Sequence, residues 1–183
     1  VRMADLIGQL IWTPLGALYP AELTCDSVGT GIHDGGMCAS TRDLARFGQM
    51  LLHMGRLDGV DIVPSDWLQA SWRVDPDIRE AFHHSRSGPY LPGGWYRNQF
   101  WFLPRRHGDV LLGLGIYGQM LYVNPGTRTV AAKFSTWPDA QNPSMLSETI
   151  AAFDTIGAYL SGLSVDFDSH HEGPPGLAAG RDH

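Results

Sequence analysis

Between Tyr96 and Ser135 the chain places four short apolar or alternating runs, Tyr96 to Leu103, Val110 to Tyr117, Gln119 to Asn124 and Thr129 to Ser135, with only a few turn residues between them. Connections this short cannot hold the crossover of about a dozen residues that parallel strands require. The runs therefore predict an antiparallel meander. Asn124-Pro125-Gly126-Thr127 is its clearest turn, since proline presets one dihedral and glycine admits a positive one. Behind it, Ser144 to Leu160 carries Leu146, Ile150, Phe153, Gly157 and Leu160 in helical register. Such a face gains about 1.5–3 kcal/mol for each large side chain buried, so this helix should lie across the sheet.

The first half of the chain reads as helices joined by loops. Val1 to Trp12 is amphipathic through Met3, Leu6, Ile7, Leu10 and Ile11, and it begins without a capping residue, which predicts that a segment is missing upstream. Pro14 and Gly16 end it, and a loop rich in Gly, Asp, Ser and Thr runs to Gly36. Ser40 and Asp43 have the spacing of a capping box, followed by the stripe Leu44, Phe47, Leu51, Leu52 and closed by Gly55. Pro64-Ser65-Asp66-Trp67 opens another helix, whose apolar side is Trp67, Leu68 and Trp72. Val74 to Gly94 loses all periodicity and predicts a surface excursion. Ser164 to His183 has little to pack and predicts a disordered tail, leaving one domain over 1–163.

Composition excludes several functions. In 183 residues with 43% hydrophobic and 17% charged content, one well-buried core is expected. A net charge of −6, with no basic cluster, argues against nucleic acid and against anionic membrane surfaces, leaving a small molecule as the expected partner. No apolar run approaches the roughly 20 residues of a membrane span, and no leader pattern opens the sequence. Cys25 and Cys38 are too few for a disulfide framework or a four-ligand metal site and predict two reduced, buried thiols. Cytoplasmic residence is the expectation. His83-His84 and His170-His171-Glu172 lack the spacing of converging ligands, so neither a metal nor any other cofactor is expected. Gly113-x-Gly115-x-x-Gly118 has the letters of a dinucleotide fingerprint, but a strand follows it where the pyrophosphate needs a helix N-terminus.

Two segments carry a resemblance: Gly35-Gly36-Met37-Cys38-Ala39-Ser40-Thr41-Arg42-Asp43-Leu44-Ala45-Arg46-Phe47-Gly48, and Gly115-Ile116-Tyr117-Gly118-Gln119 with Tyr122-Val123-Asn124-Pro125 downstream. Together with Leu10 to Ala17 they resemble the β-lactamase-related serine hydrolases, and most of all the branch of 6-aminohexanoate-dimer hydrolases. The resemblance implies an α/β protein of α+β type, an antiparallel sheet flanked by helices, of which this chain is the distal half. It also implies a small-molecule amide or ester as substrate, with a serine, a lysine and a tyrosine of the first half doing the chemistry. The only lysine is Lys133, and Val130 stands three places before it, so no Ser-x-x-Lys element can be written in this sequence. A serine hydroxyl without a neighbouring base is a weak nucleophile. The chain alone is therefore expected to be inactive, and a non-catalytic module that pairs with a second copy, or with the missing half, is the alternative.

By the same resemblance, Gly118 aligns with a shared glycine and Gln119 supplies the backbone N–H of an oxyanion site. Ile116 and Tyr117 stand where relatives carry Lys-Thr or histidine, near the substrate, and loss of a cation there argues against efficient β-lactamase activity. Asp34, in place of an asparagine, is near the substrate too, or else closes its own loop as an Asx-turn. Leu112, Leu114 and Ile116 should face one way and Gly113, Gly115 and Tyr117 the other. The glycines mark either a ligand's approach or tight helix packing. Trp95, Tyr96 and Trp101 line a pocket or, more commonly for such positions, fill the core. Lys133 is expected to face solvent.

Overall fold

The computed structural model describes residues 2–32 and 35–164. Its centre is a five-stranded antiparallel sheet, consecutive in sequence: β5 (Trp95–Arg97), β6 (Phe100–Leu103), β7 (Val110–Leu114), β8 (Met120–Asn124) and β9 (Thr129–Lys133). Two further hairpins are short, β1 (Glu22–Leu23) with β2 (Met37–Cys38), and β3 (Arg56–Leu57) with β4 (Val60–Asp61). The helices are α1 (Met3–Ile7), α2 (Thr41–Leu52), α3 (Ser65–Trp72), α4 (Pro76–His83) and α5 (Pro143–Leu160).

The meander is as expected, with three adjustments. The first run is itself a hairpin, because Asn98 and Gln99 take positive φ of 52° and 68° and reverse the chain between β5 and β6. The second run stops at Leu114, where Ile116 to Gly118 forms one tight helical turn, so the alternation expected through Tyr117 ends three residues early. Thirdly, α4 occupies the segment expected to be a surface excursion. Asp75 precedes Pro76 at its first turn, but Ile78 and Phe82 are too short a stripe to show a period. At the N-terminus the ladder of α1 widens into a π-helical stretch over Gly8–Trp12. The tail expectation lies, apart from Ser164, outside the described residues.

Period-two alternation places the two faces of the sheet in two cores. Leu111, Leu121, Val123, Phe102 and Trp95 pack toward α2 and α3, while Val110, Leu112, Met120, Tyr122 and Leu103 pack toward α5 and the end of α4. Every residue of β8 is buried, as a strand covered on both faces requires. On α2 the close approach is made by Gly48, where a Cβ would come within 2.5 Å of a Val130 methyl.

The capping box at α2 is half as expected. Ser40 Oγ accepts from the Asp43 N–H at 3.0 Å and donates to the Asp43 carboxylate at 2.7 Å, and that carboxylate also accepts from the Leu18 and Tyr19 N–H groups at 2.8 and 3.1 Å. The buried carboxylate thereby ties the loop after the N-terminal helix to the start of α2. These bonds, the one from Leu18 foremost, hold its pKa below the ordinary aspartate value.

A second polar network anchors α5. Tyr122 donates to Asp154 Oδ1 at 2.7 Å, Asn124 Nδ2 donates to the Tyr122 hydroxyl at 3.0 Å, and Arg105 Nε donates to Asp154 Oδ2 at 2.6 Å. Burial is the main cause of the raised Tyr122 pKa; the Asp154 carboxylate adds to it, and Asn124 opposes. Removing the shared acceptor strands both the phenol and the guanidinium. Asp154→Ala is expected to cost about 1–3 kcal/mol in urea unfolding, more than Tyr122→Phe, which strands less. Equal losses from the two variants would show that the carboxylate does not organise the network.

Both cysteines are free, but they are exposed rather than buried. No described helix is long and apolar enough to cross a membrane, and no described group of three His, Cys, Asp or Glu side chains is placed to hold a metal.

Candidate functional site

The β7–β8 connection, Gly115 to Gln119, has the chemistry of a loop that cannot relax. Gly115 N–H donates to the Gln119 carbonyl at 2.9 Å, closing the hairpin. Inside it Tyr117 is left-handed at φ 56°, and Gly118 follows at φ 83°. A non-glycine residue tolerates this only where its surroundings impose it. The segment after β9 does so: Tyr117 N–H donates to the Ala140 carbonyl at 3.0 Å, and Trp137 N–H donates to the Tyr117 carbonyl at 3.1 Å. The Gln119 side chain completes the clamp. Its amide donates to the Ser135 carbonyl at 2.7 Å and accepts from the Ser135 N–H at 2.9 Å, extending the β8–β9 ladder by one side-chain rung.

Lys133 departs from its expected place in solvent. Its ammonium lies 4.6 Å over the Trp137 ring and donates to the Gly118 carbonyl at 3.2 Å. Desolvation lowers its pKa. No described serine or tyrosine hydroxyl is hydrogen-bonded to it, so it acts as a brace for the turn.

Beside this turn opens a cleft of about 360 Å³. The hairpin contributes Leu114, Gly115, Ile116, Gly118, Gln119 and Met120, and Trp101 of β6 stands beside them. Arg86, Ser87, Tyr90 and Leu91 after α4 line it as well, as do Trp137 and the start of α5 at Asn142, Pro143 and Leu146. Asn142 caps that helix, its Oδ1 accepting from the Met145 N–H at 3.0 Å.

Of the residues singled out from sequence, Ile116, Gly118 and Gln119 come together in one wall of this cleft. Tyr117 belongs to the same turn but does not line the cleft, and Asp34 lies outside the described residues. The Gln119 N–H sits 3.4 Å from the Ile116 carbonyl, beyond the usual hydrogen-bond range of about 2.7–3.2 Å. The three aromatics divide: Trp95 is core, stacked on Phe102 at 5.1 Å; Trp101 lines the cleft; Tyr96 is exposed against Trp101. Gly115 faces the Gln119 side chain within its own loop and lines the cleft, so the close approach it permits is not that of a helix. Sequence reasoning missed Arg86, Ser87, Tyr90 and Trp137. They come from stretches without periodicity, and only the pairing of 135–140 with the turn brings Trp137 under Gly118.

Among the described residues, the hydroxyls on the cleft are those of Ser87 and Tyr90, and no described Lys, His, Asp or Glu lines it to act as a base. The arrangement can bind and polarise a carbonyl compound, but these residues alone give no activated nucleophile.

An antiparallel meander covered by helices on both faces, with a clefted turn at the head of the β7–β8 hairpin, defines an α+β protein. The chain is 34% identical over 139 residues to 6-aminohexanoate-dimer hydrolase from Paenarthrobacter ureafaciens, a match covering 76% of this chain and 35% of that one. A solved structure described as "Putative 6-aminohexanoate-dimer hydrolase from Bacillus anthracis" superposes with a TM-score of 0.70 at 29% identity, over 89% of this chain and 40% of that one. No protein-family model matches. The kinship with 6-aminohexanoate-dimer hydrolases read from the motifs therefore holds, and the chain spans about a third of the length of its curated relative.

Proposed function

We propose that this chain forms the substrate-holding wall of a β-lactamase-related serine hydrolase acting on small amides or esters. The activated serine and its base would come from a segment not contained in these 183 residues. The observation that carries the proposal is the convergence of Ile116, Gly118 and Gln119 on one cleft that has room for a substrate but offers no base. In this reading the serine gives its proton to the base as Oγ adds to the carbonyl, and the leaving amine or alcohol takes that proton. Water then hydrolyses the acyl-serine. The Gln119 N–H, loosely held by Ile116, turns to the developing oxyanion, a role that can contribute about 2.7–4 kcal/mol to the transition state. The relative's printed name makes a linear aminohexanoyl amide the first substrate to try. Cytoplasmic residence belongs to the same proposal, supported by two exposed free thiols that suit a reducing compartment.

The test is labelling by a fluorophosphonate and hydrolysis of an activated ester by the 183-residue chain. Neither is expected above background, and stoichiometric labelling of an internal serine with rapid turnover would overturn the assignment. A second reading, a non-catalytic module that pairs with another chain, draws on β9. This edge strand is half-buried along its whole length, and beside it α5 exposes Ile156, Tyr159 and Leu160. Sedimentation at micromolar concentration should show self-association; a monodisperse, cooperatively melting monomer would exclude pairing between copies.

A further inference from the structure

We propose that Arg86 is a specificity-determining residue, which anchors a carboxylate on the substrate held against the Gly118 turn. The inference rests on the hydrolase reading of the same cleft and adds the chemical class of what enters it. In a protein of net charge −6, every charged group on this cleft is positive, because Arg86 is the single formally charged residue among those lining it. Arg2, Arg46, Arg56, Arg97 and Arg105 are each engaged by an aspartate, whereas Arg86, like Arg42, Arg73 and Arg128, makes no side-chain hydrogen bond or ion pair with any described residue, and of these four only Arg86 lines the cleft. Five donors in a planar fork are thus left without a partner on a residue that lines the cleft, and such a fork matches a carboxylate taken two-pronged.

The rest of the cleft selects what the carboxylate is attached to. Trp101, Leu114, Met120 and Leu146 make an apolar channel, and Gln141 and Asn142 supply the polar groups on its α5 side. An amide or ester with an aliphatic body and an acid end satisfies each part. Ile116, 62% exposed on the same cleft, brings no charge of its own, which leaves Arg86 as the group able to hold an anion there.

Binding tests this separately from catalysis. Trp101 and Trp137 report occupancy by fluorescence, with N-hexanoylglycine as the acid and N-hexanoylglycinamide as its neutral counterpart. The acid should bind about tenfold more tightly than the amide, as a charge-assisted pair allows, and the preference should shrink with added salt. Arg86→Gln should erase the preference by weakening the acid alone, and Arg86→Lys should keep part of it. Because Arg86 is exposed and unpartnered, Arg86→Gln is expected to melt with the wild type. Equal binding of acid and amide, an unchanged preference in Arg86→Gln, or no saturable binding of either compound would each overturn the proposal. An acid preference without any serine chemistry in a longer form of the protein would instead remove the hydrolase reading and leave the anion site standing.

Discussion

Gly118→Ala is expected to unfold the β7–β8 turn and close the cleft. At φ 83° the backbone is left-handed, where a Cβ costs about 1–2 kcal/mol. The larger obstacle is steric: an added Cβ would stand 2.3 Å from Cε2 and 2.4 Å from Cδ2 of Trp137. Those are the fused atoms of a rigid ring, so no flexible tip can give way. The indole must leave, and with it goes its contact with Lys133, while the neighbouring backbone bond from the Trp137 N–H to the Tyr117 carbonyl is put under strain. Overpacking of this kind adds about 1–3 kcal/mol. The expected readout is a red-shifted tryptophan emission and a thermal midpoint lowered by roughly 4–20 °C for a chain of this length, together with loss of N-hexanoylglycine binding. A variant with wild-type emission and binding would mean that Trp137 does not pack on the glycine.

How much of this was legible beforehand follows from the range of the interactions involved. The meander needed only short connections and alternation, both local, and β8 with its two buried faces reads as a continuous apolar run. The ending of α2 at Gly55 was equally local: its φ is 94°, and a Cβ there would overlap the Val63 carbonyl. The cleft was not legible in the same way. Gly118 and Gln119 stood out only through resemblance, while the residues that shape their conformation, Ser135, Trp137 and Ala140, act across 16 to 23 positions of sequence. Lys133 was misplaced for the same reason. A lone lysine on an edge strand reads as solvated until an indole three dimensions away, but four residues on, is known to fold back beneath it. Arg86 carries no sequence signal; what distinguishes it from the other arginines is its place on the cleft, a property only coordinates have.

The other large effect should come from Trp95→Ala, and it should separate stability from binding. Trp95 is fully buried at the head of β5, stacked on Phe102 at 5.1 Å with its ring 6° from parallel, and Arg79 caps its face at 5.3 Å. Deleting an indole from such a site costs about 3–5 kcal/mol through lost burial and the cavity left behind. Against a total stability of about 5–15 kcal/mol, that is a large fraction. The thermal midpoint should fall by roughly 6–20 °C. Yet Trp95 faces the α2 and α3 core, whereas Trp101, on the other face of the same hairpin, lines the cleft. Well below the new midpoint, the folded variant should therefore bind N-hexanoylglycine about as tightly as the wild type, in contrast to Gly118→Ala, where binding and stability fall together. If Trp95→Ala abolished binding at a temperature where circular dichroism still showed a native sheet, the two cores would be coupled through β6, and the cleft would depend on packing across the whole sheet.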